Sequence, residues 1–311
     1  MPTLLAVFAA LLPVFLVIVL GHLLRRRLLP DEAHWIGLER LTYYVLFPAL
    51  IIETLARADL GAVPAFGVGA SLFLAILLLT AFSLLIRPAL VSRIGLDGPG
   101  FTSLVQGAIR WNTFVALGVA GSLYGEAGIT LAAVAMVAMI PVLNVISVWV
   151  LAHFAAGKEP DARSILAALL RNPLIWSCIV GMLLNALDPP LPQPLVAFAD
   201  MLGRASIVLG LLAVGSGLKL AGLHRPHAAT LIATFVKLVA NPAIAITLGL
   251  LFGLSGASLA VVACASSVPS ATNAYVLARQ MGGDAPLMAQ ILTWQTLLAV
   301  VTMPVVMALV P

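Results

Sequence analysis

An all-helical membrane protein of ten spans, built as two inverted five-helix repeats, is the fold class that this sequence predicts. Three observations lead there. The 311 residues are 62% hydrophobic and only 9% charged, against about 25% charged in soluble domains. Apolar runs of about twenty residues, enough to cross a bilayer, follow one another along the chain. Finally, three short patterns recur at nearly one offset: Gly21 in LGHLL and Gly181 in VGMLL, Asn112 in WNTFV and Asn273 in TNAYV, Pro141 in MIPVL and Pro304 in TMPVV. The three matches keep span order and imply a five-span unit used twice. Five is odd, so the second copy enters the membrane from the opposite side, as in many secondary transporters.

The spans are bounded by charge, proline or glycine. The first, 4–24, closes at Arg25, Arg26 and Arg27. Met1 to Leu24 lacks a basic start and a small-residue cleavage site, so it reads as a span and not a cleavable signal peptide. The second, 33–56, carries Glu53 with Arg57 four residues on, a spacing suited to a helix ion pair. The third, 63–86, ends at Arg87 and Arg93, and the fourth and fifth cover 100–124 and 127–154. A connector, 157–172, contains Lys158, Arg163 and an amphipathic lead-in from Asp161 to Arg171, expected along the membrane surface. The sixth span, 173–187, is short. The seventh, 193–219, holds the pair Asp200 and Arg204, and the eighth, 226–253, holds Lys237. The ninth and tenth are 256–281 and 286–310. The first repeat is therefore 1–156 and the second 173–311.

Basic residues alternate between connections. Arg25–Arg27, Arg87 with Arg93, Lys158 with Arg163 and Arg171, Lys219 with Arg225, and Arg279 all fall on one side. The positive-inside rule makes that side cytoplasmic and places both termini outside, in the periplasm of a bacterial inner membrane. The net charge of +4 is spread over these loops. It suits anionic headgroups and excludes a nucleic-acid partner, for which no basic patch is large enough. Cys178 and Cys264 lie in apolar runs and read as buried thiols. Trp35, Trp149 and Trp176, near span ends, read as interface anchors.

The ninth span contains SVPSATNAY, Ser267 to Tyr275, where polar groups are costly. Pro269 removes a backbone donor and crowds the preceding turn. Ser266, Ser267, Ser270, Thr272 and Asn273 can bond the freed groups or a ligand. Non-helical backbone at membrane depth needs cover from protein or a water-filled cavity, so the stretch predicts a discontinuous helix. QGAIRWNT in the fourth span offers Gln106, Gly107, Arg110, Asn112 and Thr113 at the matching depth, without a proline. The competing reading is a proline kink with polar residues that pack helices.

Charge points to the ligand. Two half-helix N-termini and two C-termini would meet at midplane, so their dipoles nearly cancel. Arg110 and Lys237 are each about 15 Å deep at 1.5 Å per residue, and no acid stands at that depth. A buried cation without a buried acid implies an anionic ligand, a carboxylate that arginine grips with two N–H groups. The substrate-binding candidates are Arg110, Asn112, Thr113, Ser270, Asn273 and Lys237, with Gly107, Ser267 and Pro269 at the break.

Other classes fare worse. NPA at Asn241–Ala243 occurs once, whereas water channels need two such motifs. His22, His34, His153, His224 and His227 lie toward cytoplasmic ends and form no cluster for metal or acid–base chemistry, so no cofactor or metal is expected. An intramembrane hydrolase using Ser267 or Ser270 with Lys237 is the remote enzymatic alternative. An anion channel or uniporter shares the carrier's residues. Coupling to a proton or sodium ion stays open.

The ninth-span text VPSATNAYVLARQMGGD, with FPALIIETLA, RNPLIW and VANP, resembles the auxin efflux carrier family in its bacterial branch, the malate- or malonate-permease-like members. The resemblance covers the whole chain. It implies a fold like that of the bile-acid symporters, with the fourth and ninth spans broken and crossing at the membrane centre. The crossing residues would be Asn112 and Thr113, and Pro269, Ser270 and Asn273. Spans one, two, six and seven would form a scaffold, as a homodimer, and the others a transport domain that moves like an elevator. Many relatives carry a proline or a glycine-rich run at the fourth-span crossing, whereas this chain reads IRWNTF.

Overall fold

The computed structural model describes residues 4–58, 64–155, 166–167, 170–220 and 223–310. The connector 157–172, with Lys158, Arg163 and most of the amphipathic lead-in, lies largely outside the described residues. All regular structure among them is helical: α1 (Leu4–Arg27), α2 (Glu32–Leu41), α3 (Phe47–Arg57), α4 (Ala65–Ile94), α5 (Gly98–Ile109), α6 (Thr113–Phe154), α7 (Pro173–Leu187), α8 (Gln193–Ser216), α9 (Ala228–Phe235), α10 (Asn241–Leu251), α11 (Gly256–Ser267), α12 (Asn273–Met281) and α13 (Ala285–Leu309). Seven helical runs are long and apolar enough to cross a membrane, and Pro173–Leu187 and Gly256–Ser267 are shorter apolar helices. The chain is a multi-pass membrane protein.

One of the seven runs is 57 residues long, Gly98–Phe154, and holds two passes. Gly125 takes φ 57° and ψ −142° inside α6, a conformation open to glycine. A Cβ on Gly128 would strike the Ala120 carbonyl, and one on Gly121 would touch Ile129 at 3.3 Å. Residues eight apart lie about 12 Å apart along a straight helix, so α6 folds back on itself at Gly125. The passes expected at 100–124 and 127–154 therefore meet at a reversal of a few residues.

Two further passes are helices joined through a π-helical turn: α2 to α3 through Thr42–Leu46, and α9 to α10 through Val236–Ala240. Each turn runs straight into an X-Pro pair, Phe47–Pro48 and Asn241–Pro242. Proline cannot donate to the carbonyl four residues back and its ring crowds it. Widening the turn by one residue relieves the clash while the pass stays helical.

The helices pack as two groups. α1, α3, α7 and α8 bind one another most extensively, and α4, α5, α6, α9, α10, α11 and α13 form the other group. Small residues seat the first group. A Cβ on Gly215 would collide with the Ile18 carbonyl, and one on Gly21 with the Leu212 carbonyl. A Cβ on Gly181 would sit 2.8 Å from Leu55. Without a hydrophobic drive between helices in lipid, such close backbone approach is a main source of association. Between the groups, Phe114 of α6 lies 4.7 Å from Phe47 and fills the space beside Gly210.

The expected ion pairs form: Arg57 to Glu53 at 3.0 Å and Arg204 to Asp200 at 2.9 Å. Trp35 departs from the interface-anchor reading, because it is buried and donates to the Leu29 carbonyl at 2.8 Å, fixing the turn into α2. Trp176 is exposed and donates to Leu170.

Gly215→Leu should lower stability by roughly 1–3 kcal/mol through overpacking of α1 on α8. Gly37→Ala, in open space within α2, should instead stabilise by roughly 0.5–1 kcal/mol. Melting in detergent measures both, and an equal effect of the two would contradict the packing account.

Candidate functional site

The fourth and ninth passes are both interrupted. α5 stops at Ile109, Arg110 and Asn112 are extended at ψ 152° and 100°, and α6 resumes at Thr113. α11 stops at Ser267, Val268 is extended at ψ 152°, and α12 begins at Asn273. Pro269 accounts for the second break, as expected. The first has no proline, and what holds it is the other break.

The hydrogen bonds show this. Asn112 N donates to the Pro269 carbonyl at 2.8 Å. Ser270 Oγ donates to the Gly107 carbonyl at 2.7 Å. Gln295 of α13 accepts from Ser270 N at 2.9 Å and donates to the Gly107 carbonyl at 2.8 Å and the Ala233 carbonyl at 3.3 Å. Asn241 Nδ2 donates to the Ser266 carbonyl at 3.0 Å. Asn112 Oδ1 caps α6 by accepting from Val115 N at 3.2 Å. Groups that each helix loses at its break are thus bonded by the other break or by amide side chains of neighbouring passes. That is the condition for irregular backbone buried among membrane helices. Gly107 has no room for a side chain, since a Cβ there would lie 2.7 Å from Ile291 and 3.3 Å from Ala233.

Of the sequence candidates, Gly107, Asn112, Pro269 and Ser270 come together in this network. Ser267 is buried and donates to its own helix at Cys264. Thr113 starts α6 and is half-buried, while Asn273 starts α12 and is exposed. Trp111 is buried in the core beside the break.

Arg110 is 6% exposed. Its Nη2 donates to Asn144 Oδ1 of α6 at 3.4 Å, and its buried Nη1 has no partner among the described residues. Tyr43, in the π-helical turn of the second pass, bonds Asn172 through its hydroxyl at 3.2 Å. Ser147, one turn past Asn144, also keeps a buried hydroxyl without a partner. Lys237 is fully buried in the turn between α9 and α10, which packs on α5, α11 and α13, and its Nζ has no partner among the described residues. Two cavities, of about 230 and 430 Å³, lie where α5 and α13 begin, lined by Lys219, Tyr275 and Gln290 and by Asp97, His227 and Asp284 respectively. Neither is lined by Arg110 or Asn112.

Sequence reading missed Gln295, Asn144 and Tyr43, and read Asn241 only as part of an Asn-Pro pair that shapes a helix start or kink, where α10 does begin. A signal existed for Asn144, the sole amide side chain in 127–154. Its pairing with Arg110 is not a sequence property.

Two broken helices bonded to each other, with a buried cation that has no counter-charge among the described residues, form the centre of this bundle of apolar helices. Comparison with known proteins adds a family likeness. Residues 158–307 match the family described as Membrane transport protein. A transporter of Methanothermobacter thermautotrophicus described as uncharacterized is 23% identical over 300 residues, covering 94% of this chain and 95% of that protein. The second half of the chain is thus similar to a membrane transport family, that of the auxin efflux carriers, and the likeness supports a transporter.

Gln295→Leu should destabilise the protein by roughly 1–3 kcal/mol, because it strands Ser270 N and weakens cover of the Gly107 carbonyl. Combined with Ser270→Ala, the loss should fall short of the sum by about 0.5 kcal/mol or more, since both residues serve one carbonyl. Strict additivity in thermal melts would contradict the shared network.

Proposed function

We propose that this protein is a secondary carrier of small organic anions, mono- or dicarboxylates, in a bacterial cytoplasmic membrane. The observation that carries the reading is Arg110: a buried guanidinium beside the paired breaks, held among the described residues by one long bond to a neutral amide, with Nη1 unpartnered there. Burying a charge without a counter-charge costs several kcal/mol, and a bound carboxylate offsets that cost by accepting two parallel N–H bonds. We assign Asn112, Thr113, Ser270 and Asn273 to hydrogen-bond the ligand, with Asn144, the amide that Arg110 contacts, added.

The division of the helices into two groups supports alternating access. The group α1, α3, α7 and α8 serves as scaffold, in a homodimer, and the group carrying the two breaks slides past it in an elevator-like motion. The ten passes are read as two inverted repeats with both termini periplasmic. Asn112 and Asn273, matched in the sequence offset, each stand where the second half-helix starts, which supports that reading. Burial of Arg110, Asn112 and Ser270 favours a carrier in an occluded arrangement over an open anion pore.

Purified protein in liposomes should take up a labelled carboxylate, chosen by thermal shift over mono- and dicarboxylates. Arg110→Ala and Asn273→Ala should each cut uptake tenfold or more, with Arg110→Lys intermediate because lysine lacks the fork. Unlabelled substrate on the opposite side should accelerate tracer exchange. Wild-type uptake by both alanine variants would refute the site, and absence of acceleration would identify a channel.

A further inference from the structure

α5 and the part of α6 beyond the reversal at Gly125 run antiparallel, and contacts pin their register at both ends and between. A Cβ on Gly98 would strike the Phe154 carbonyl, and the Phe101 and Phe154 rings stand 5.1 Å apart. Further along, a Cβ on Gly283 would lie 2.9 Å from both Thr102 Oγ1 and Leu151 Cδ2, so those side chains flank one point. At the far end Arg110 bonds Asn144. Arg110 N still donates to the Gln106 carbonyl at 2.9 Å, which keeps Arg110 in helical step with α5.

Thr102, Gln106 and Arg110 are spaced i, i+4, i+8, and Asn144, Ser147 and Leu151 are spaced i, i+3, i+7. Each set is one stripe of its helix. With the outer members matched in pairs, the middle members, Gln106 and Ser147, share a level. Both are fully buried, and Gln106 Nε2, Gln106 Oε1 and Ser147 Oγ have no partner among the described residues. Arg110 Nη1, one turn away, has none there either. Buried polar groups are bonded as a rule, and each one left alone costs about 1–3 kcal/mol. Such unmet atoms on two facing stripes are a cluster that a polar ligand completes.

The chemistry of the cluster is uneven. Among the stripe members Arg110 alone is charged, and it matches one carboxylate. Gln106 offers a donor and an acceptor, and Ser147 a hydroxyl that does both. A second carboxylate only accepts, so it would leave Gln106 Oε1 bare and bury a charge without a counter-charge. A hydroxyl or a carboxamide meets both needs. The pass that carries Lys237 reaches α5 through Ala233 against Gly107, a side about 100° round the helix from Gln106. Gln106 lies about 6 Å along α5 from Arg110, a gap that a chain of about four carbons spans.

We propose that Gln106 and Ser147 form the far half of the substrate site and select monocarboxylates that carry a neutral hydroxyl or carboxamide at the other end of a chain of about four carbons. The proposal rests on the carrier reading and narrows its substrate class.

Binding to purified protein in detergent, read by thermal shift, tests it without transport. The probes are succinamate, succinate and isocaproate, which share a shape and end in an amide, a second carboxylate and an apolar fork. The buffer is slightly alkaline, so both succinate carboxyls are ionised. Succinamate should bind the wild type about tenfold or more tighter than either of the others, since only it pairs both polar atoms of Gln106. Gln106→Leu should abolish that preference, and Ser147→Ala should reduce it by about threefold. Without ligand, Gln106→Leu should melt no lower than the wild type, because it removes unmet polar atoms. A clear fall in melting would make Gln106 a structural bond-maker and overturn the proposal. So would equal binding of the probes to the wild type, with water alone filling the cluster, or a preference that survives Gln106→Leu. If other carboxylates bind and these probes do not, the proposal fails and the carrier reading stands. If no carboxylate binds, both fail.

Discussion

A helix that stops inside a bilayer leaves backbone N–H and carbonyl groups that no lipid can satisfy, and this protein meets that constraint by bonding one stop to another. The bond from Asn112 N to the Pro269 carbonyl, with Ser270 and Gln295 on the Gly107 carbonyl, makes two local failures of helix structure into one nonlocal joint. Other features of the centre follow from it. Gly107 is needed because the chains approach closely there, and amide side chains from α10 and α13 are needed because each break frees more groups than the other can cover. The same joint ties the parts of α5, α6, α11 and α12 together, so any large motion must carry the pair as a unit.

Two buried cations differ in their surroundings. Arg110 bonds Asn144, which lies beyond the reversal of α6. Lys237 is buried in the turn between α9 and α10, which packs on α5, α11 and α13. The sequence showed both cations at similar depth and could not separate them. Depth follows from counting residues, but direction depends on which neighbours the chain later supplies.

How much was readable from sequence follows the same line. The ten passes were legible because apolar runs punctuated by arginine, proline and glycine are local signals. SVPSATNAY gave up the ninth break because Pro269 breaks a helix wherever it sits. IRWNT was harder, since nothing in those residues forbids a helix, and the break there is stabilised by Pro269 some 160 residues away. The reversal at Gly125 was placed correctly but its tightness was not, because GEAG permits a longer loop as readily as a hairpin. Trp35 looked like an interface anchor by position, yet it is buried and its indole bonds the Leu29 carbonyl in the turn before α2.

The joint is best tested by amide hydrogen exchange, resolved at Asn112 and Ser270, in protein reconstituted in lipid. Bonded to the Pro269 carbonyl and to Gln295 and shielded from water, both amides should exchange as slowly as those of mid-helix residues in α5 and α11. Exchange as fast as at exposed helix ends would mean that the two breaks do not hold each other, and the account of the centre would fail with them.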